Sequence, residues 1–321
     1  MGRIVTIILL IFIVSSCTVK NDREVLTDQA QDFLIQSLKN STRWEKVHAA
    51  DELLSLGYST GIKEEFSKEL ESFNDTPQYR IGIWRVLASE ARTDNEQKRW
   101  INKIESVYAD TLQPDRLHAA ESLAKLSVNL QEIYPNIVAS DLKSTDTLMR
   151  AFVTWGSAVS KINQNIDYGS LLSMISSTSE TFRKIGAYAL GFCPDLDVGY
   201  RKPLSERALA EPKNSQAKVY LLKAAYLFPT NDSTNVAVKA ELLTFLASPQ
   251  KYARVEAELA LAKKGKPSDL PDLKMILEAK DLSTHGGFSV VEANEIRATS
   301  AYAILRINQR VGGKMTILDW L

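Results

Sequence analysis

The sequence predicts an all-α fold, an α-solenoid of antiparallel helix pairs, on three observations. Across 321 residues Gly (14) and Pro (10) are sparse while 45% of the letters are apolar, a composition that folds and carries few helix breakers. A basic residue recurs at Lys46, Arg80, Arg116, Arg150, Arg183, Lys218, Arg254 and Arg297, at intervals of 34, 36, 34, 33, 35, 36 and 43 positions. Most of these residues are followed by a small or apolar residue at +4 and an apolar one at +7: Ala50 and Leu53, Trp84 and Leu87, Ala120 and Leu123, Ala187 and Leu190, Leu222 and Ala225, Ala301 and Ile304. At about 100° per residue these offsets fall near 0°, 40° and 340°, one face of a helix. Arg150 (Thr154, Ser157) and Arg254 (Glu258, Leu261) fit the pattern poorly.

From the N-terminus, residues 1–17 stand apart. "MGRIVTIILLIFIVSSC" carries a basic Arg3, an apolar run from Ile4 to Val14, and small residues directly before Cys17. The run is about half the roughly 20 residues that cross a bilayer, so it reads as a cleaved secretory signal. Its ending, "VSSC", resembles the lipobox of bacterial lipoproteins, which implies that Cys17 is lipidated and that the mature chain begins there. Thr18 rather than Asp after the Cys resembles an outer-membrane address in those families. An N-myristoylation pattern over Gly2 and Thr6 is the rival, but it seldom runs straight into an apolar core. The other cysteine, Cys193, then has no disulfide partner and reads as a small buried hydrophobe.

Residues 18–41 are a polar tether and an N-terminal helix. Residues 42–308 hold the repeats, because each basic-anchored helix is followed by a second one, as in "IKEEFSKELESF", "EQKRWINKIESVYA" and "TNVAVKAELLTFLA". Helix pairs at a period of about 35 to 40 residues cannot bury their apolar faces singly and must stack. "FRKIGAYALG" and "RLHAAESLAKL" resemble HEAT repeats of the phycobilisome-lyase-like type, which implies about seven antiparallel pairs plus a terminal helix. The signature positions of 34-residue tetratricopeptide repeats are not met. Residues 309–321, with "MTILDWL", form a C-terminal tail or cap.

The recurring basic residue falls in the first turn of its helix, where the dipole disfavours a cation and calls for a partner. Acids stand just upstream at Glu45, Asp75, Asp115, Asp146, Glu180 and Glu295. The expectation is a ladder in which each basic residue bonds an acid or a carbonyl of a neighbouring repeat.

Candidate chemistry is thin. Lys plus Arg and Asp plus Glu both count 39, which argues against nucleic acid as a partner. No P-loop, dinucleotide fingerprint or H-E-x-x-H is present, so no cofactor or metal site is expected. "DLDVGYRKPLSE" lacks the Gly of a calcium loop. His48 and His118, two positions past their anchors, lie opposite the apolar face of their helices and point to solvent or a groove. His285, in "DLSTHGGFSVVEAN", lies in the insertion that lengthens the last interval, and such loops carry function in repeat proteins.

Trp155, Tyr188 and Tyr302 share the +5 position of their repeats. Trp100, Tyr134, Tyr168 and Tyr200, with Arg99 and Arg201, fall in or beside second helices, which line the concave surface of HEAT arrays. The binding candidates are therefore Arg99, Trp100, Tyr134, Tyr168, Tyr200, Arg201, His118 and His285. The expected function is a membrane-anchored binding or scaffold lipoprotein of the bacterial envelope, holding a protein, peptide or glycan on a concave surface. The alternative is an envelope enzyme, a lyase or hydrolase on sugar-type substrates; an open array favours binding, and a closed ring with His118, His285 or Tyr and acid groups converging in one pocket favours catalysis.

Overall fold

The computed structural model describes residues 21–158, 166–230, 233–283 and 286–312. The helices run in chain order as α1 (Asp22–Asn40), α2 (Trp44–Ser55), α3 (Ile62–Phe73), α4 (Tyr79–Glu90), α5 (Asp94–Ala109) and α6 (Arg116–Lys125). Two short ones, α7 (Leu130–Ile133) and α8 (Pro135–Asp141), precede α9 (Thr147–Ala158), α10 (Tyr168–Ile175), α11 (Glu180–Leu190) and α12 (Val198–Ala210). The chain continues with α13 (Ala217–Leu227), α14 (Ser233–Thr244), α15 (Lys251–Lys264), α16 (Leu270–Glu278) and α17 (Val290–Arg310). No strand occurs among the described residues.

Helix starts follow their capping letters. The Thr93 hydroxyl accepts from the Glu96 amide at 3.2 Å, and Ser289 and Glu292 form a reciprocal capping box at the start of α17, each satisfying donors a helix leaves open. The anchored helices α2, α4, α6, α9, α11, α13, α15 and α17 pack side by side, each against the next. Between them α3, α5, α7 with α8, α10, α12, α14 and α16 pack on the outside as their antiparallel partners. The core is the stripe expected from the +4 and +7 offsets: Ala50, Ala120, Ala187 and Ala301 are fully buried, as are Leu123, Leu190 and Ile304.

The solenoid-like array does not end open. α17 packs on α2 as well as on α15, and α1 lies outside that seam against both α17 and α2. Polar bonds cross it at three levels: His48 Nδ1 to a Glu295 oxygen at 2.9 Å, the Ser55 hydroxyl to the Tyr302 hydroxyl at 2.9 Å, and Arg23 Nε to the Asn308 side-chain oxygen at 2.8 Å. The eight anchored helices thus close into an inner ring, and α1 supplies the outer partner that α17 lacks.

The basic ladder forms through carbonyls of the preceding repeat, as expected, while most of its carboxylates are not the upstream acids. Arg116 donates to the Tyr108 carbonyl at the end of α5, Lys218 to the Ala208 and Leu209 carbonyls at the end of α12, and Arg297 to the Leu277 carbonyl near the end of α16. Arg183 reaches the carbonyls of Ser177 and Thr178, just past α10. In these four repeats, and in that of Arg254, which reaches the Ser248 carbonyl, the cation at the start of the inner helix therefore neutralises the negative dipole end of the outer helix before it. The carboxylates come mostly from the following outer helix: Glu69 for Lys46 at 2.9 Å, Asp141 for Arg116 at 2.6 Å, and Glu211 for Arg183 at 2.9 Å. Of the upstream acids only Asp115 serves, accepting from Arg80 Nε at 2.7 Å. Asp146 and Glu180 instead cap backbone amides.

Arg116, Asp141 and Tyr108 form a closed buried triad, since the Tyr108 hydroxyl also donates to Asp141 at 2.9 Å. Arg116→Ala leaves that carboxylate buried without its cation, which costs about 3 kcal/mol. Chemical denaturation is expected to show that loss; an unchanged midpoint contradicts the ladder.

Candidate functional site

The inner helices run parallel, because each is separated from the next by an antiparallel outer helix. Equivalent positions therefore lie at equal heights around the ring. Counted from the basic anchor, positions +2, +5 and +9 fall on the side of the helix opposite the buried stripe. In a closed ring that face looks inward. It lines a central cavity of about 690 Å3.

Three tiers of side chains build the wall. Phe152, Tyr220, Glu256 and Thr299 stand at +2 with His48; Asp51, Arg85, Glu121, Tyr188, Lys223, Leu259 and Tyr302 stand at +5; and Ser55, Ser89, Lys125, Phe192 and Lys263 stand at +9. Ser55, Ser89, Phe192 and Lys263 are exposed, whereas at +2 Phe152, Glu256 and Thr299 are buried and Tyr220 is partly so. The cavity accordingly opens at the C-terminal ends of the inner helices and narrows toward their N-terminal ends.

One arc of the wall is aromatic. Trp155 meets Tyr188 edge-on at 5.6 Å between ring centroids, Tyr188 meets Tyr220 at 6.1 Å, and Tyr220 stacks on Tyr252 at 6.3 Å. Lysines stand over these rings: Lys125 5.5 Å from the Tyr188 centroid, Lys223 5.1 Å from the same ring, Lys184 5.9 Å from Tyr220 and Lys263 5.7 Å from Phe192. Each is within the range where ring quadrupoles attract cations.

The remaining charges are largely paired. Arg85 bonds Asp51 at 2.6 Å, Lys125 bonds Glu121 at 2.7 Å, Lys251 bonds Glu295 at 2.7 Å, and Lys223 bonds Glu256. Among the described residues Lys184 and Lys263 have no carboxylate partner, Lys263 donating to the Gly191 carbonyl instead. Desolvation at the cavity wall, with Lys223 and Arg306 nearby, pulls the Lys263 ammonium down to about 8.

Glu52 is the anomaly of the wall: it is buried and one of its oxygens has no partner. Burial first, then repulsion from Glu295 and Asp51, pushes its carboxyl up to about 8 against a bond from Thr299. It is a protonated acid at neutral pH. Glu295 goes the other way: burial raises it, but the bonds from His48 and Lys251 prevail and hold it at about 2. The lining holds six Lys and Arg against five carboxyls, so with Glu52 neutral the cavity carries an excess of two positive charges. Behind the wall, Glu258 occupies a +4 core position with neither oxygen bonded, and burial raises it well above the ordinary carboxylate value.

None of the described binding candidates lines this cavity. The second helices lie outside the ring, so among the described residues they do not line its cavity. Trp100 is 7% exposed, under the Arg99 guanidinium on the outer layer. Tyr134 packs edge-on against Tyr108. Tyr168 donates to the Asp195 carbonyl, and Tyr200 is exposed at the start of α12. Arg201 pairs with Asp195 at 2.9 Å. His118 stacks on Trp44 at 5.8 Å, an approach that Gly82 admits, since a Cβ there would sit 3.0 Å from the indole. Curvature thus brings α2 and α6 closer than repeat spacing suggests.

His48, set aside as outward, lines the cavity instead. Cys17 and His285 lie outside the described residues. Burial pushes the Cys193 thiol up to about 12, which leaves it protonated. Among the described residues no three His, Cys, Asp or Glu groups converge to hold a metal.

The signal that finds the real wall was present in part: Tyr188 and Tyr302 at +5 belong to it. No family model matches the chain, and no curated protein matches it.

Linkage gives the two glutamates opposite pH signatures. The contribution of Glu295 is present above about 4.3, its unfolded value, and is lost as pH falls through about 2. That of Glu52 is whole below the same unfolded value and is lost as pH rises through about 8. Glu52→Gln is therefore expected to raise the melting temperature by several degrees at about pH 9 while changing it little at about pH 5. An equal shift at both values means that the carboxyl is not held neutral.

Proposed function

We infer that this chain is a lipid-anchored binding protein of the bacterial envelope that holds a small anionic, ring-bearing ligand, such as the end of an acidic glycan, in its central cavity. The observation that carries the reading is the aromatic arc Tyr188, Tyr220 and Tyr252 overlaid by Lys125, Lys184 and Lys223. Sugar rings stack on such faces through their apolar C–H edges, and a carboxylate entering the arc meets ammonium groups in a partly desolvated site.

Size selects among partners. A cavity of about 690 Å3 is of small-molecule dimensions and too small for a folded protein, but it takes a few sugar rings or a chain end. The apolar run ending in Ser15, Ser16 and Cys17 supports the envelope address, and two or more acyl chains suffice for firm anchorage. Among the described residues no helix is long and apolar enough to cross a membrane. The basic-anchored pairs are read as divergent HEAT-type units, on the resemblance of "FRKIGAYALG" and "RLHAAESLAKL".

A second reading, an envelope lyase or hydrolase on the same kind of sugar, is favoured by the closed ring that brings tyrosines and acids into one pocket, and by Glu52. A protonated carboxyl with a free oxygen on the cavity wall is what a general acid requires. Product formation from an acidic oligosaccharide that stops in Glu52→Gln, with binding retained, would identify it.

Calorimetric titration with a uronate-terminated disaccharide and its neutral counterpart tests the binding reading. The acidic sugar is expected to bind at least about tenfold more tightly. Tyr220→Leu, which removes one stacking face, is expected to weaken it by a similar factor. Equal affinity for both sugars rules out the anionic ligand.

A further inference from the structure

We propose that the open mouth of the cavity faces the membrane and docks on an anionic lipid surface, so that ligand reaches the aromatic arc from the bilayer side. The proposal rests on the lipid-anchor reading; its other support is the position of α1 relative to the ring.

α1 is antiparallel to α2, and its first turn lies against the end of α17: Arg23 Nε bonds the Asn308 side chain at 2.8 Å and Arg23 also bonds the Asn308 carbonyl at 3.0 Å, while Asn308 in turn donates to Thr27. The chain therefore enters the fold at the face where the inner helices end. That is the face on which Ser55, Ser89, Phe192 and Lys263 are exposed around the cavity. Only residues 18–21 separate Cys17 from Asp22, a reach of at most about 17 Å fully extended. The thickness of the ring is about that of its inner helices, whose 10 to 14 residues in most repeats span roughly 15 to 20 Å. A lipidated Cys17 on so short a leash holds this face near the headgroups and keeps the opposite one away from them.

Charge on the near face suits that surface. Lys263, Lys264, Lys266, Arg306 and Arg310 gather where α15 and α17 end, beside the start of α1. Arg306 and Arg310 bond backbone carbonyls, of Ser55 and of Ala262, Leu261 and Gly265, and among the described residues none of the five has an ion-pair partner. The nearby acids are Asp22 and Glu24 in the first turn of α1, Asp272 in that of α16, and Asp269, which is committed to Lys239; farther round the same face α3 begins with Glu64 and Glu65 and α5 with Asp94 and Glu96. Basic groups at the headgroup level attract anionic lipid. Phe192, Val198 and Tyr200 are 47%, 73% and 47% exposed on the same face, apolar and aromatic groups of the kind that settle at membrane interfaces. The far face also exposes Leu112, Val290 and Val291, but it meets the bilayer only with the leash fully extended along the wall of the ring.

The test uses full-length protein processed in a bacterial host and reconstituted into vesicles of phosphatidylethanolamine with phosphatidylglycerol. In a Cys193→Ser background, Gln309→Cys on the near face and Val291→Cys on the far face carry a fluorophore, read against a headgroup quencher. Quenching at 309 is expected to exceed that at 291 several-fold, and the ratio is expected to fall toward one in Lys264→Glu/Lys266→Glu and in phosphatidylcholine vesicles.

Equal quenching at both sites, or stronger quenching at 291, overturns the docking, as does a ratio untouched by charge reversal and lipid charge. Mass analysis of the N-terminal peptide separates the two levels. An acylated Cys17 with unoriented labels defeats the docking alone, whereas an unmodified Cys17 removes the anchor reading and the docking with it.

Discussion

The constraint on which the rest depends is the meeting of the first and last repeats. A linear array leaves an apolar helix face uncovered at each end and needs capping units. Here α17 closes against α2, and α1 covers the joint from outside, so the ends cap one another. The seam is written in polar bonds between residues far apart in the chain, His48 with Glu295 and Ser55 with Tyr302. Without that closure, positions +2, +5 and +9 would face open solvent on a shallow surface. With it they converge on one cavity.

Convergence changes what the same side chains do. A lysine on a solvated helix face is a hydrated point charge, whereas Lys223 in the wall is bonded to Glu256 and lies over two tyrosine rings. Burial reduces screening, so opposite charges bind harder and like charges repel harder. That is why Glu52, beside Asp51 and Glu295, keeps its proton while Glu295, given His48 and Lys251, does not. The neutral form of its least-supported carboxyl raises the positive excess of the cavity from one charge to two. An anionic ligand that brings its own charge to Lys184 or Lys263 completes a set of pairs the protein leaves unfinished.

The ladder of basic residues ties the two layers of the ring together. Each cation sits at the start of an inner helix, and Arg116, Arg183, Lys218, Arg254 and Arg297 hold carbonyls at or just past the end of the outer helix before it. This sets the height of every inner helix relative to its neighbours, and equal heights put position +5 of every repeat in one tier. Arg150, which lies over the Phe182 ring, belongs to the repeat in which Thr154 and Ser157 depart furthest from the apolar stripe. The local pattern and the tertiary bond weaken together there.

Much of this was legible in the letters. The interval between basic residues, the paired helices and the stripe at +4 and +7 determined an all-α array, and the buried alanines and leucines stand where that stripe puts them. The histidines at +2 lie off the buried stripe, as the helical wheel places them. What a helical wheel cannot say is whether a polar face looks outward or into a cavity, because both are solvated and both tolerate charge. That choice belongs to the curvature, the sum of small rotations at every helix contact, and no single repeat encodes it. Tertiary closure placed the first helices inside, moved the candidate site from Trp100 and Tyr134 to Tyr188 and Tyr220, and turned an outward histidine into a wall residue. The sequence by itself determined which residues are buried between helices; the sign of the curvature decided which of the others face one another.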